Sequence, residues 1–123
     1  MANNIDEIRC WSGGAGLTKM AIWSVLRMQG FDPHIWFGYN GDVSPVESVP
    51  YKRVIWVAQG TITVHLPEQN QEFNLQRGDR LDLPARIPHS TIVRSDEFVC
   101  VEARRHVPTA RRKDKDLSTK ELG

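Results

Sequence analysis

Three side chains with different chemistry fall on one side of a predicted strand region. Glu47, Tyr51 and Arg53 are separated by even numbers of residues, so an unbroken extended chain directs them to the same face. A buried guanidinium needs a carboxylate partner, and Glu47 is the obvious candidate. The spacing therefore predicts a Glu47–Arg53 ion pair. A bulge near Pro50 is the alternative that would turn Arg53 outward.

A histidine and a cysteine offer further reactive groups. His89 follows a tight corner between Pro84 and Pro88 and is the first residue of a predicted strand. On residue type alone, such a histidine makes a local hydrogen bond. Cys100 lies within a β-rich run, where a cysteine is usually a small core residue and not a nucleophile.

The elements that must position these groups are mostly short strands. Between Thr18 and Gln29 the apolar residues follow helical spacing, with Thr18 as N-cap and Gly30 just past the end. After Pro33, runs rich in β-branched and aromatic residues alternate with turn residues, which predicts an all-β sandwich or barrel. The predicted strands are His34–Tyr39, Tyr51–Ala58, Thr61–Leu66, Glu72–Leu75, Arg80–Leu83, His89–Arg94 and Phe98–Ala103.

Alternation within the strands indicates where the core lies. Ile62, Val64 and Leu66 share one face of their strand. The strand Tyr51–Ala58 instead has bulky apolar residues on both faces. We therefore expect a central strand that is covered by the barrel interior on one side and by the helix or a partner subunit on the other.

Length and composition indicate one ordinary globular domain. The chain has 123 residues, 40 % hydrophobic and 25 % charged, with a formal net charge of +1. These values exclude a disordered tail protein, a collagen-like repeat and a disulfide-stabilised miniature. We predict an N-terminal extension with one short helix over 1–32, a barrel over 33–104 and a basic, flexible tail over 105–123. The last 20 residues contain seven basic and three acidic side chains.

The sequence also predicts the setting in which the protein works. The N-terminus has no basic segment followed by an apolar run, and the apolar stretch Met20–Leu26 is too short to cross a bilayer. We therefore expect a cytoplasmic protein without membrane contact. Cys10 and Cys100 are far apart in sequence; one long-range disulfide between them is an alternative, but two cysteines do not make a disulfide framework. The segment Ser12–Gly16 lacks the pattern of a phosphate-binding loop, and the tail lacks the aromatic interleaving of a nucleic-acid site.

The segment GDRLDLPARIPH resembles the second conserved motif of the cupin superfamily. Gly78, Pro84 and His89 occupy matching positions, while Arg86 stands where the motif has its second glycine. The strand that ends at Gly60 resembles the end of the first cupin motif, and the resemblance extends over about 33–104. It implies a small cupin-type β-barrel (a jelly roll, or double-stranded β-helix) in which His89 points inward as a metal ligand.

The first motif departs from the family pattern at its metal ligands. Counting back from Gly60, the positions of the two motif histidines fall on Glu47 and Val49, and the glutamate position falls on Arg53. His89 and Glu47 are the remaining candidate ligands, and the fixed charge of Arg53 opposes a cation beside them. We therefore predict no tightly bound catalytic metal, with a divalent transition metal on His89 and Glu47 as the alternative.

These features favour a cupin-like protein with a degenerate metal site that binds a small molecule or has an accessory role. Arg53 and His89 would receive a small anionic ligand such as a carboxylate, with Glu47, Tyr51 and Trp36 nearby. One alternative is a metal-dependent oxygenase or isomerase that uses His89 and Glu47. Another is a dimeric interaction module, because the face of Val54 and Trp56 and the resemblance to small cupins both suggest a homodimer.

Overall fold

The computed structural model describes residues 8–12 and 16–106, which form two antiparallel β-sheets and one helix. The five-stranded sheet has the order β1-β7-β4-β9-β2, and the four-stranded sheet has the order β3-β8-β5-β6. The predicted all-β barrel with a short N-terminal helix is confirmed. The elements are β1 (Arg9–Trp11), α1 (Lys19–Met28), β2 (Asp32–Gly38), β3 (Val43–Glu47), β4 (Tyr51–Gln59), β5 (Thr61–Leu66), β6 (Gln71–Gln76), β7 (Arg80–Leu83), β8 (His89–Val93) and β9 (Phe98–His106).

All seven predicted strands are present, and the described residues form two more. The missed strands, β1 and β3, are edge strands that are mostly exposed. In neither strand do apolar and polar residues alternate, and β3 contains a proline, Pro45. Strand β1 forms because it pairs with β7, and β3 forms because it pairs with β8. The seven strands predicted from the sequence all lie after Pro33, so β1, which precedes the helix, was not among them.

The helix α1 begins and ends where the sequence predicts and covers the outer face of the five-stranded sheet. The hydroxyl of Thr18 accepts a hydrogen bond from the Ala21 amide at 3.1 Å, which caps the first turn. Ile22 and Leu26 are fully buried and pack with Val54 in a core outside the barrel. Within residues 8–12 and 16–106, no helix has the length and apolar character needed to cross a membrane.

The central strand β4 is covered on both faces, as its sequence predicts. Ile55 and Val57 point into the barrel core, while Val54 and Trp56 belong to the cluster under α1. The helix α1 therefore covers the face of β4 for which a partner subunit was the alternative. The homodimer stays a prediction, and it loses the support of this face. The end of β9 includes residues 105 and 106, and the rest of the predicted tail, 107–123, lies outside the described residues.

A buried arginine joins four elements on the helix side of the sheet. Arg80 donates from Nε to Asp82 Oδ1 at 2.7 Å and from Nη2 to Asp82 Oδ2 at 3.1 Å. Its Nη1 donates to Gln29 Oε1 at 2.9 Å. The guanidinium carbon lies 5.0 Å from the ring centroid of Trp11 and 4.9 Å from that of Trp56. This contact network ties α1 and β1 to β4 and β7.

The corner before β8 keeps a glycine-like backbone at a residue that is not glycine. Arg86 is exposed and has a φ of 69°, and its amide donates to the carbonyl oxygen of Val49 at 2.7 Å. This is the position where the cupin motif has its second glycine. Arg86 therefore adopts the left-handed backbone conformation that glycine, which has no Cβ, adopts most easily.

Replacing Arg86 with glycine is expected to raise the free energy of unfolding by about 0.5–1 kcal/mol. The left-handed conformation costs an L-residue about 1–2 kcal/mol, and the greater chain entropy of unfolded glycine offsets part of the gain. Urea denaturation measures the change. Arg94→Gly is the control, since Arg94 is also exposed but lacks a positive φ. A loss of stability in Arg86→Gly would contradict the interpretation.

Candidate functional site

Four polar side chains from four strands meet around the guanidinium of Arg53. Glu47 comes from β3, Arg53 from β4, His89 from β8 and Glu102 from β9, and we call this group the Arg53 cluster. Glu47 and His89 are cross-strand partners in the ladder between β3 and β8. Arg53, Ile55 and Val57 are two positions apart along β4, so their side chains lie on the same face of the strand. Ile55 and Val57 line the core, and Arg53 therefore also points to the interior.

A bulge in β3 decides which of its residues face the barrel. The register against β8 shifts between Ser44 and Glu47, so these two residues line the same small space although they are three positions apart. The irregularity that we considered near Pro50 lies before Glu47 instead. It therefore leaves Arg53 pointing inward.

The guanidinium of Arg53 binds all three other members of the cluster. Its Nη1 donates to Glu47 Oε2 at 3.2 Å and to His89 Nε2 at 2.9 Å, and its Nη2 donates to Glu102 Oε2 at 2.9 Å. Burial alone would lower the pKa of Arg53, but Glu102 and Glu47 more than offset it and the pKa is raised. Arg53 is therefore a permanent cation in the barrel.

His89 is held as a neutral ring with one defined tautomer. Its Nδ1 lies 2.8 Å from the carbonyl oxygen of Ile87, which only accepts hydrogen bonds, so Nδ1 carries the proton. Nε2 then has a free lone pair and accepts from Arg53. Burial lowers the pKa of His89, and the charge of Arg53 lowers it further. His89 therefore has no N–H left to donate to a ligand.

The cluster does not fit the metal that the cupin resemblance implies. His89 Nε2, the nitrogen that would coordinate an ion, accepts a hydrogen bond from Arg53, and the same guanidinium nitrogen binds Glu47. Within residues 8–12 and 16–106, no group of three or more His, Cys, Asp or Glu side chains is placed to hold a metal ion. The guanidinium supplies the positive charge that an ion would supply in such a site.

The ion pair of Arg53 and Glu102 borders an inner cavity, an outer cavity and a small space of about 20 Å³ that Glu47 and His89 also line. The inner cavity has a volume of about 110 Å³ and is also lined by Trp36, Ser44, Ile55, Ile62, Thr91 and Cys100. The outer cavity, of about 180 Å³, is also lined by His34, Tyr51, Ala103 and Arg104. A larger cavity of about 340 Å³ lies elsewhere, near the start of α1, and contains none of the cluster.

The structure places all five sequence-predicted site residues at this end of the barrel. Glu47, Arg53 and His89 are in direct contact, whereas Trp36 and Tyr51 line different cavities. The ring centroid of Trp36 lies 5.5 Å from that of Phe98, in an edge-on arrangement. The guanidinium carbon of Arg104 lies 5.4 Å from the ring centroid of Tyr51.

Glu102 is the one member of the cluster that was not predicted from the sequence. The signal for it was present, because Phe98, Cys100 and Glu102 alternate along β9 and the first two are buried in the core. The same parity places the Glu102 carboxylate inside. Cys100 is a buried core residue, as predicted, and burial raises the pKa of its thiol well above the ordinary value. Both Cys10 and Cys100 are free thiols.

Comparison with known proteins supports the fold. No family model matches the sequence, and no curated protein does. A cupin superfamily protein from Desulfitobacterium hafniense DCB-2 is similar, with a TM-score of 0.56 and 12 % identity over 81 % of this chain and 78 % of that one. An RmlC-like cupin from Shewanella frigidimarina NCIMB 400 has a TM-score of 0.54 and 15 % identity over 60 % and 64 %.

An enzyme is among the similar structures. The polyketide cyclase RemF from Streptomyces resistomycificus has a TM-score of 0.55 and 15 % identity, over 69 % of this chain and 66 % of the cyclase. This chain thus spans less than two thirds of the cyclase and of the Shewanella protein. Such identities carry no information about activity. What the likeness shows is that the chain has the cupin fold.

Proposed function

We propose that this cupin-fold chain binds a small molecule inside its barrel without a metal ion, with the guanidinium of Arg53 as the fixed cation of the site. The observation that carries the proposal is the position of Arg53, which binds His89 Nε2 and two carboxylates and also borders the inner and the outer cavity. Because arginine keeps its charge at every physiological pH, it needs no ion to attract a polar ligand.

Arg53 has donors to offer a ligand. A guanidinium has five N–H groups, and the hydrogen bonds of Arg53 to described residues use three of them. The Nε–H and one Nη2–H therefore remain for a bound molecule. A ligand that accepts from one of these groups would pair a partly buried donor that otherwise depends on water.

The inner cavity limits the size of the ligand. Its volume of about 110 Å³ is smaller than the roughly 150 Å³ cavity that holds one benzene molecule. A ligand confined to it has only a few non-hydrogen atoms, and a larger one must extend into the outer cavity. Trp36, Ile55 and Ile62 offer apolar contacts, while the hydroxyls of Ser44 and Thr91 offer polar ones.

The alternative of a metal-dependent oxygenase or isomerase has less support from this geometry. Such an enzyme would need His89 Nε2 and Glu47 available to coordinate an ion, and Arg53 engages both. We therefore retain metal-independent binding as the best-supported function.

Ligand-observed NMR in excess EDTA tests the proposal, with propionate, propionamide and 2-propanol as probes. We expect at least one probe to bind saturably to the wild-type protein. Binding should weaken at least about tenfold in Trp36→Leu, because the indole forms a wall of the inner cavity. Trp23→Leu is the matched control, since Trp23 packs in the cluster under α1. Binding that appears only after a divalent metal is added would overturn the proposal, as would undiminished binding to a folded Trp36→Leu variant.

A further inference from the structure

We propose that Glu47 is an exchangeable internal ligand of Arg53, and that the carboxylate of a small organic acid takes its place when the molecule binds. This inference rests on the proposed function and names the ligand class. The three partners of Arg53 differ in how deeply they are buried and in the length of their hydrogen bonds.

Glu47 is the partner that leaves most easily. Its side chain is 51 % exposed, compared with 33 % for Glu102, and His89 is almost fully buried. The contact of Glu47 with Arg53 is also the longest of the three, at 3.2 Å against 2.9 Å for each of the others. A half-exposed carboxylate gains hydration on release, so exchanging it costs little. Removing Glu102 or His89 would break better-buried contacts.

The backbone around Glu47 permits this exchange. Glu47 is the last residue of β3, which is an edge strand with a shifted register just before it. Glu102 instead lies within β9, which is paired with β4 on one side and β2 on the other. A change of rotamer at Glu47 therefore disturbs no central ladder.

Charge balance selects the class of molecule that enters. The cluster contains one fixed positive charge and two carboxylates. An anion that entered while Glu47 stayed would place three negative charges around one guanidinium, whereas an anion that replaces Glu47 leaves the balance unchanged. A neutral or cationic molecule would leave Arg53 short of one carboxylate. The exchange thus favours carboxylates, which match the planar donor pairs of arginine.

The cavity fixes the length of the acid. With its carboxylate on Nη1 of Arg53, an aliphatic chain extends from the small space shared by Ser44 and Thr91 into the inner cavity beside Trp36. That volume of about 110 Å³ suits short monocarboxylic acids, and the two hydroxyls suit acids with a hydroxyl group. We therefore assign short aliphatic and hydroxy monocarboxylates as the ligand class.

Glu47→Gln separates the exchange from simple binding, with propionate and its neutral isostere propionamide as probes. Because Glu47 competes with the ligand, its removal should lower the Kd of propionate at least about fivefold. The Kd of propionamide should change less than twofold. Glu72→Gln is the control, since Glu72 is exposed on β6 away from the cluster, and it should match the wild type. Glu47→Ala is a second variant that removes the competing group and also opens space.

The outcomes distinguish the two proposals. Equal propionate affinity in the wild type, Glu47→Gln and Glu47→Ala would overturn the exchange and leave metal-independent binding intact. Propionamide binding to Glu47→Gln as tightly as propionate would do the same. No binding of propionate, propionamide or 2-propanol to any of these proteins, each shown to be folded by circular dichroism, would contradict both proposals.

Discussion

Replacing Arg53 with methionine is expected to lower the free energy of unfolding by about 3 kcal/mol. The variant keeps a long apolar stem but removes the group that binds Glu102 Oε2 and His89 Nε2, both at 2.9 Å. Glu102 then remains as a partly buried carboxylate without its cation, and repulsion from Glu47 is no longer offset. The side chain of Arg53 is 16 % exposed, so water screens this cost only in part. Equilibrium denaturation in urea measures the loss.

Two further variants identify the source of that loss. Arg53→Met combined with Glu102→Leu removes the unpaired charge as well, and we expect it to regain about half of the stability. Arg9→Met is the matched control, because Arg9 is exposed on β1, and it should change stability by less than about 0.5 kcal/mol. A loss in Arg53→Met below about 1 kcal/mol would show that the ion pairs of Arg53 contribute little to folding.

Replacing Arg80 with methionine is expected to cost more, about 4 kcal/mol. Asp82 has a side chain that is 5 % exposed, and both of its carboxylate oxygens accept from Arg80. Without the guanidinium, a charged carboxylate is left buried on the helix side of the sheet. The variant also loses the stacking of Arg80 against Trp11 and Trp56. The loss should appear as a lower denaturation midpoint with an unchanged m value.

The double variant Arg80→Met with Asp82→Leu tests whether the unpaired charge is the cause. Removing both partners of a buried pair is often neutral, so we expect most of the lost stability to return. If the double variant is as unstable as Arg80→Met alone, the aromatic contacts and the bond to Gln29 carry the effect instead.

The two arginines show why residue type alone does not reveal a site. Arg80 donates three hydrogen bonds to Asp82 and Gln29 and lies between two indole rings, so its contacts are structural. Arg53 lies on the other face of the same sheet and borders the inner and the outer cavity, and its hydrogen bonds to the described residues leave two of its N–H groups unpaired. The sequence analysis singled out Arg53 through its place in a degenerate motif, and it gave no role to Arg80.

Much of the architecture follows from local sequence pattern. The alternation of Ile62, Val64 and Leu66 predicts a strand with one buried face, and all three side chains are buried. The Thr18 cap and the helical spacing after it predict α1 within one residue at each end. Strands β1 and β3 were not predictable in this way, because they are edge strands that form by pairing and bury little of their own.

For the candidate site, the sequence determined the chemical groups and the side of the strand on which each lies. Parity along β4 placed Arg53 inside, and the motif around His89 placed an imidazole at the start of β8. Parity does not determine which strands are neighbours, because that depends on the packing of the whole chain. Only the tertiary structure brings Glu102 into contact with Arg53, which is 49 residues away in sequence. It also places the Arg53 guanidinium where it donates a hydrogen bond to His89 Nε2. The sequence thus supplied a cation and its possible partners, and the folded barrel decided which of them contact it and how deeply each is buried.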